Sequence, residues 1–186
     1  MSTTYETFYH NILCEDLILK ENISNVHQVP LITSVTLSHS SRLITKNSQY
    51  TIPVLSGLEL ISGQKAKITK AKRSVSGFQT QKNQLIGCKL TLRNQKQFAF
   101  LEKLVLMILP RLNNLEHTKG KRSNYQFGIQ QIPLFPEIEG YYNFFDSLRG
   151  IHVHITTSAN SPISSRLLLT GFKIITPSMV YLRSQE

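Results

Sequence analysis

The sequence has no tryptophan, only two cysteines and no long apolar run. Cys14 and Cys88 lack CxxC spacing, so neither a disulfide framework nor a thiolate metal site is indicated, and a reducing compartment fits best. The longest apolar window, residues 98–109, is interrupted by Glu102 and Lys103. A membrane-spanning helix needs about 20 apolar residues, so we expect a soluble protein with no membrane partner.

The amino-terminal segment lacks arginine and carries several carboxylates, whereas transit peptides are rich in arginine and poor in acids. We therefore expect no cleavable targeting segment.

At 186 residues and 40% hydrophobic content, the chain is long enough to bury a core. We expect a single domain spanning 1–186, with an N-terminal helix at 5–20 and a C-terminal tail at 173–186.

Carboxylates are missing from one long stretch of the chain. Between Leu60 and Leu101 there is no aspartate or glutamate, while nine of the 21 cations fall there. The rest of the chain carries 12 cations against 11 acidic residues, so nearly all of the net charge of +10 comes from this block. Such a block predicts a surface for an anionic partner. Its cations are Lys65, Lys67, Lys70, Lys72, Arg73, Lys82, Lys89, Arg93 and Lys96.

Apolar periodicity predicts the elements. Strand 31–38 places Leu31, Thr33, Val35 and Leu37 on one face, strand 65–71 turns Ala66 and Ile68 inward, and strand 85–93 alternates apolar with cationic residues. Helices and strands are interspersed without βαβ repetition, which predicts an α+β fold. Its mixed, mainly antiparallel sheet is covered by helices on one face and is cationic on the other. The remaining predictions are a helix at 53–61 that is ended by Gly63, helices at 94–109 and 162–172, strands at 125–132 and 151–158, a polar loop at 73–84 and a turn at 133–140.

The cationic face has two interpretations. Most charge runs are solvated surface, and lysine on exposed strands often discourages edge pairing. Gln64, Thr69, Thr91 and Phe78, interleaved among the cations, add hydrogen-bonding and stacking capacity that a solvated surface does not need. This favours nucleic acid: lysine and arginine would contact phosphates, and Phe78 would stack on a base.

Catalytic motifs are missing. No GxSxG, HExxH or Walker A pattern occurs, and the Glu137–Glu139 pair beside two prolines is typical of a solvated or capping pair. His152 and His154 point the same way on a strand, but no third metal ligand is near them in sequence. We expect no enzyme, no metal, no cofactor and no small-molecule substrate.

Two segments carry a specific resemblance: residues 61–78, ISGQKAKITKAKRSVSGF, and residues 86–93, IGCKLTLR. They resemble the universal large-subunit ribosomal protein numbered five, which in bacteria binds 5S rRNA. Further similar segments follow in the family's order and extend the resemblance over about residues 5–177. They are NVHQVPLITSVTLS (25–38), LPRL (109–112), NYQFGI (124–129), FPEI (135–138), RGIHVHITTSA (149–159) and LLTGF (168–172).

The resemblance implies a structural protein of the central protuberance that binds 5S rRNA and large-subunit rRNA. It also implies contacts with P-site tRNA, neighbouring ribosomal proteins and the small-subunit head. By motif match the RNA contacts are Gln64, Lys65, Lys67, Thr69, Lys70, Lys89, Thr91 and Arg93, and Lys72 and Arg73 continue the same block. The tRNA-facing loop carries Ser76, Gly77, Phe78 and Lys82, and the intersubunit cations are Arg111, Lys119, Lys121 and Arg122.

Three segments depart from the bacterial pattern: 38-SHSS-41 replaces a turn containing Asn and Gly, the loop at 116–124 is shortened, and the ending 171–186 is not a short aromatic tail. With the Asn-, Ile- and Lys-rich composition, these departures favour a mitochondrial ribosome, with a plastid or the bacterial cytoplasm as alternatives. A different functional class also stays open: a free RNA-binding regulator or RNA chaperone using the same basic face.

Overall fold

The computed structural model describes residues 3–112, 116–118, 124–145 and 148–174. Within this part of the chain, six strands form one sheet. In chain order they are β1 (Ile32–Ser40), β2 (Lys67–Lys70), β3 (Leu85–Leu92), β4 (Glu116–Thr118), β5 (Asn124–Ile129) and β6 (Ile151–Thr157). Their order across the sheet is β2-β3-β1-β6-β5-β4. Because the sheet is antiparallel and helices are interspersed with its strands, the expected α+β class is confirmed.

The α-helices of the described residues are α1 (Thr4–Phe8), α2 (Cys14–Glu21), α3 (Arg42–Lys46), α4 (Thr51–Ser62), α5 (Gln95–Lys103), α6 (Pro136–Glu139), α7 (Tyr142–Phe145) and α8 (Pro162–Gly171). A π-helical turn, Tyr9–Leu13, joins α1 to α2, which confirms the predicted N-terminal helix. A second, Leu104–Ile108, extends α5. Helix α4 ends where Gly63 takes a left-handed conformation (φ 60°), as predicted.

Contacts divide the chain into two compact units, each built from segments distant in sequence, and the single domain stays a prediction. The first unit comprises Met1–Val35, Arg93–Phe127 and His154–Glu186. Its core contains an aromatic cluster in which Phe172 stacks on Tyr5 and Tyr9 at centroid distances of 5.8 and 6.0 Å. The buried Tyr9 hydroxyl donates a hydrogen bond to the Pro30 carbonyl (3.0 Å), which satisfies the polar end of the ring.

The second unit comprises Thr36–Leu92 and Gly128–Val153. Helix α4 packs against the apolar side of β3 in this unit. Each fully buried aliphatic side chain at such a contact contributes about 1.5–3 kcal/mol. The buried residues are Val54, Leu58 and Ile61 on the helix and Cys88, Leu90 and Leu92 on the strand.

Strand β1 differs from its predicted pattern at its start. Ile32 is buried, whereas Leu31 is 43% exposed and Thr33 is exposed, so Leu31 and Thr33 do not share the buried face of Val35 and Leu37 as predicted. The Ile32 carbonyl accepts a hydrogen bond from the buried Gln97 side chain (2.9 Å). This contact joins residues far apart in sequence, and alternation within one strand cannot reveal it.

The segment 38–41 is not a turn, because β1 continues to Ser40. Ser41 instead caps α3, its Oγ accepting a hydrogen bond from the Leu43 amide (3.1 Å). Periodicity does not predict this helix, since Arg42–Lys46 is only five residues long.

Other segments are corrected in detail. Ile68, predicted to point inward, is 39% exposed because β2 is the last strand of the sheet order and is only partly covered. The loop 73–84 has structure of its own: a 3-10 turn at Ser76–Phe78 and a bridge between Val75 and Thr80. The turn predicted at 133–140 contains a 3-10 turn, Ile132–Leu134, and α6.

Strand β3 lies very close to β1 at Gly87. A Cβ atom on residue 87 would collide with the His39 carbonyl oxygen and lie 2.9 Å from the Ser40 Cα atom. No side chain fits at that distance, so glycine is required there. Gly87 thereby sets the spacing between the two strands.

We predict that Gly87→Ala destabilises the protein by about 2 kcal/mol or more, because the added methyl group meets backbone that cannot move away. The measurement is the free energy of unfolding in urea. Gly140→Ala is the matched control, since a Cβ atom on residue 140 meets nothing within 4 Å. Equal unfolding midpoints for the two variants would contradict the role given to Gly87.

Candidate nucleic-acid interface

The hairpin formed by β2 and β3 places two lysines directly opposite each other. In its antiparallel register Lys67 pairs with Lys89, Ile68 with Cys88 and Thr69 with Gly87. Because directly opposite residues share a face, Lys67 and Lys89 project from the same side, and both are exposed. Like charges at such a pair destabilise a hairpin unless a counter-charge is present. Within the described residues, neither lysine has an ion pair.

The carboxylate that precedes β2 forms no ion pair with these lysines. Glu59 uses its Oε1 atom to accept a hydrogen bond from the Ala66 amide (3.0 Å), just before β2 begins. On the opposite, buried side of the hairpin, burial raises the pKa of the Cys88 thiol to about 11, and the Glu59 charge adds to this. Cys88 is therefore a neutral core residue, and Glu59 supports the start of β2.

Polar side chains beside the lysines form hydrogen bonds within the protein. Gln64 donates through Nε2 to the Thr91 carbonyl (3.0 Å), and the Thr91 hydroxyl lies 3.3 Å from the Thr36 hydroxyl. All three residues are half-buried. Thr91 thus lies on the lysine face in a fixed position, and Gln64 connects the end of α4 to β3.

The hairpin changes direction after Thr69. The register shifts between Thr69 and Lys70, so Lys70 pairs with Leu85. Ala71 is buried next to it, while Lys72 and Arg73 are exposed. A shift of this kind bends a strand and redirects its side chains.

The loop that follows presents an aromatic ring. Phe78 is 76% exposed at the end of the 3-10 turn Ser76–Phe78. A Cβ atom on Gly77, within that turn, would meet nothing within 4 Å, and Lys82 is exposed on the returning segment. The loop therefore offers an apolar ring and a cation to a partner.

The remaining predicted residues lie elsewhere. Lys65 is exposed just before β2. Arg93 is exposed directly after β3 and is assigned to the first unit. Arg111 is exposed at the end of the 3-10 turn Leu109–Arg111. Lys119, Lys121 and Arg122 lie outside the described residues.

Two further cations belong to the second unit and were missed from the sequence. Arg42 and Lys46 are exposed on α3, which packs against β3. They precede the stretch Leu60–Leu101 that lacks carboxylates, and α3 is too short to give a periodic pattern. The available sequence signal was Ser41, a residue type favoured before the first turn of a helix.

His39 is not available to a phosphate. It is buried, and its Nδ1 atom is hydrogen-bonded to the Gly150 carbonyl. The Nε2 atom is buried without a partner among the described residues. Burial lowers the pKa of His39, the hydrogen bond to Gly150 opposes this, and the charge of His152 lowers it further.

Among the described residues, no cluster of three or more possible metal ligands occurs. None of the helices in the same part of the chain is long and apolar enough to cross a membrane. The fold and the site together define a basic α+β protein whose antiparallel hairpin carries exposed lysines without an ion pair in the described part of the chain.

Comparison with known proteins gives the family. A model described as "Ribosomal protein L5" matches residues 25–80, and a second model, which describes the C-terminus of the same family, matches residues 85–175. The chain belongs to the ribosomal protein L5 family. It is a structural constituent of the large ribosomal subunit, and the expectation that it is not an enzyme is confirmed by this membership.

Curated relatives cover nearly the whole chain. Large ribosomal subunit protein uL5 of Buchnera aphidicola subsp. Schizaphis graminum is 35% identical over 174 residues, 91% of this chain and 96% of the relative. The uL5 protein of Bordetella avium is 36% identical over 171 residues, 90% and 94% of the two chains. Protein uL5c of Gracilaria tenuistipitata var. liui is 34% identical over 176 residues, 92% and 97% of the two chains.

We predict that folded-state stability falls as the pH drops below about 6.5, the ordinary pKa of histidine, because the unfolded chain binds a proton that buried His39 resists. His39→Gln should make the free energy of unfolding less dependent on pH between about 7.5 and 5. The wild-type slope attributable to His39 is at most about 1.4 kcal/mol per pH unit.

The measurement is urea unfolding at a series of pH values. His27→Gln is the control, since His27 is exposed. If the His39 and His27 variants show the same pH dependence as the wild type, protonation of His39 does not limit stability.

Proposed function

We propose that the β2–β3 hairpin binds 5S rRNA and adjoining large-subunit rRNA through its exposed cations. The observation that carries this proposal is the Lys67–Lys89 pair, two like charges held opposite each other without an ion-pair partner in the described chain. An RNA phosphate between them would accept hydrogen bonds from both ammonium groups and turn repulsion into attraction. The contact continues along the RNA backbone through Lys65, Lys70, Lys72 and Arg73.

The neutral residues of the hairpin give the contact its geometry. Gln64 and Thr91 are already hydrogen-bonded within the protein. Their role is to fix the backbone from which the lysine side chains extend to the RNA phosphates. Their remaining acceptor and hydroxyl groups are then available to ribose and phosphate. Binding of this kind reads RNA shape and not sequence.

The loop carrying Phe78 is proposed to contact P-site tRNA. Its support is the exposed aromatic ring, because the hydration cost of an exposed phenylalanine is removed when the ring stacks on a base. Ser76, Gly77 and Lys82 would complete this contact.

Arg111, with Lys119, Lys121 and Arg122, is proposed to face the small-subunit head.

For the compartment we propose a mitochondrial ribosome. The support is the departure from the bacterial pattern at 38–41 and 171–186, together with the composition of the chain. Fractionation of organelles from the source cells tests that assignment.

We predict that replacing Lys67 and Lys89 together by glutamine weakens RNA binding and lowers its salt dependence. Two phosphate contacts are lost, so the plot of the logarithm of the binding constant against the logarithm of salt concentration should become less steep by about 1.4–1.8. The free protein should keep its stability or gain up to about 1 kcal/mol, because the repulsion is removed. The measurements are titration of 5S rRNA over a range of salt concentrations and urea unfolding.

Lys20→Gln is the control for this experiment. Lys20 is exposed but already paired with Asp16 (2.6 Å), so its loss should leave the slope unchanged. If the double variant keeps the wild-type slope, the hairpin lysines do not contact phosphates.

We predict that Phe78→Leu speeds release of P-site tRNA from ribosomes reconstituted with the variant, while Phe78→Tyr does not. Stacking of an aromatic ring on a base contributes about 1–3 kcal/mol, and leucine retains apolar bulk without the ring face. The measurement is the dissociation rate of labelled tRNA. Identical rates for the leucine variant and the wild type would contradict a stacking contact.

A further inference from the structure

The loop between β2 and β3 is closed at its base and at its tip by separate sets of hydrogen bonds. At the base, the Ala71 amide donates to the Gln84 carbonyl (2.9 Å) and the Asn83 amide donates to the Ala71 carbonyl (3.0 Å). At the tip, the Val75 and Thr80 amides donate to each other's carbonyls (3.0 and 3.2 Å). Phe78 lies within the tip.

Between base and tip, the Gln84 side chain makes a connection. The Gln84 Oε1 atom accepts a hydrogen bond from the Gln81 amide (2.8 Å), one residue after the tip bridge. The same side chain donates from Nε2 to the Thr45 carbonyl of α3 (2.6 Å). One amide group therefore connects the loop to a neighbouring helix.

The acceptor on α3 is a group that its own helix leaves without a partner. The last four carbonyls of a helix have no intrahelical donor. Thr45 is near the end of Arg42–Lys46, and the Gln49 amide, which would bond to Thr45 in a longer helix, bonds instead to the Asn47 side chain (3.1 Å). Gln84 supplies the missing donor.

Backbone geometry on the returning segment makes the connection possible. The Gln84 amide donates to the Gln81 carbonyl (3.2 Å), which closes a turn over 81–84. Asn83 takes a positive φ of 68° at the third position of this turn, where glycine and asparagine are favoured. The turn brings the Gln84 side chain back beside the Gln81 amide and leaves Lys82 exposed.

We propose that Gln84 is a positioning residue: its side-chain amide fixes the Phe78 loop to α3, so that the loop meets its RNA partner in a geometry already present in the free protein. This inference rests on the proposed contact between the Phe78 loop and P-site tRNA. Ordering the loop during folding removes an entropy cost that would otherwise oppose binding.

Gln84→Met tests this role, because methionine has a similar size and cannot make either hydrogen bond. Gln81→Met is the matched control: it makes the same change in the same loop at an exposed side chain and retains the backbone amide that Gln84 contacts. The first measurement is hydrogen exchange of the loop amides in the free, full-length chain. The Gln81 amide should exchange faster in Gln84→Met than in the wild type.

The second measurement is the rate of P-site tRNA release from ribosomes reconstituted with each variant. Gln84→Met should release tRNA about three- to tenfold faster, the change expected for the net contribution of one hydrogen bond. Gln81→Met should release it at the wild-type rate. Binding of 5S rRNA should be unchanged in both variants, because the sheet lysines are intact.

The outcomes separate the two proposals. If Phe78→Leu and Gln84→Met both release tRNA at the wild-type rate, the tRNA contact of the loop is wrong. If only Phe78→Leu is faster, the contact stands and the positioning role of Gln84 is overturned. The positioning role is also overturned if exchange of the Gln81 amide does not change, or if Gln84→Met loses 5S rRNA binding and tRNA retention together, since that indicates a general loss of fold.

Discussion

The close approach of β3 to β1 at Gly87 is the constraint on which the β2–β3 hairpin depends. Because residue 87 has no side chain, the β3 backbone lies directly against the His39 carbonyl. That position places Cys88 and Leu90 against α4 on one side and directs Lys89 to the other. Strand β2 then aligns with β3, which brings Lys67 opposite Lys89.

The Lys67–Lys89 pair is tolerated because hydrogen bonds and apolar packing hold the hairpin together. Glu59 binds the Ala66 amide, Gln64 binds the Thr91 carbonyl, and the apolar side of β3 packs on α4. None of these contacts uses a lysine. The two lysines therefore take no part in these contacts, and a bound anion would relieve their mutual repulsion.

Sequence reasoning succeeded where a single strand or helix carries its own pattern. The alternation over 85–93 predicted β3 and its exposed Lys89, and Gly63 predicted the end of α4. It failed where a contact between distant segments decides the outcome. Gln97 bonds the Ile32 carbonyl at the point where β1 departs from the predicted pattern, and the Gln84 side chain connects the loop to α3. Local periodicity contains no information on such contacts.

The sequence by itself determined the chemistry of the interface: nine cations without a carboxylate over Leu60–Leu101, and motifs specific enough to indicate the family. Charge and residue type are local properties, so they can be read without a fold. Only the tertiary structure decided which cations face one another, which polar groups are already hydrogen-bonded, and how the Phe78 loop is held. Those features depend on strand register and on distances between segments far apart in the chain, which are set when the backbone packs.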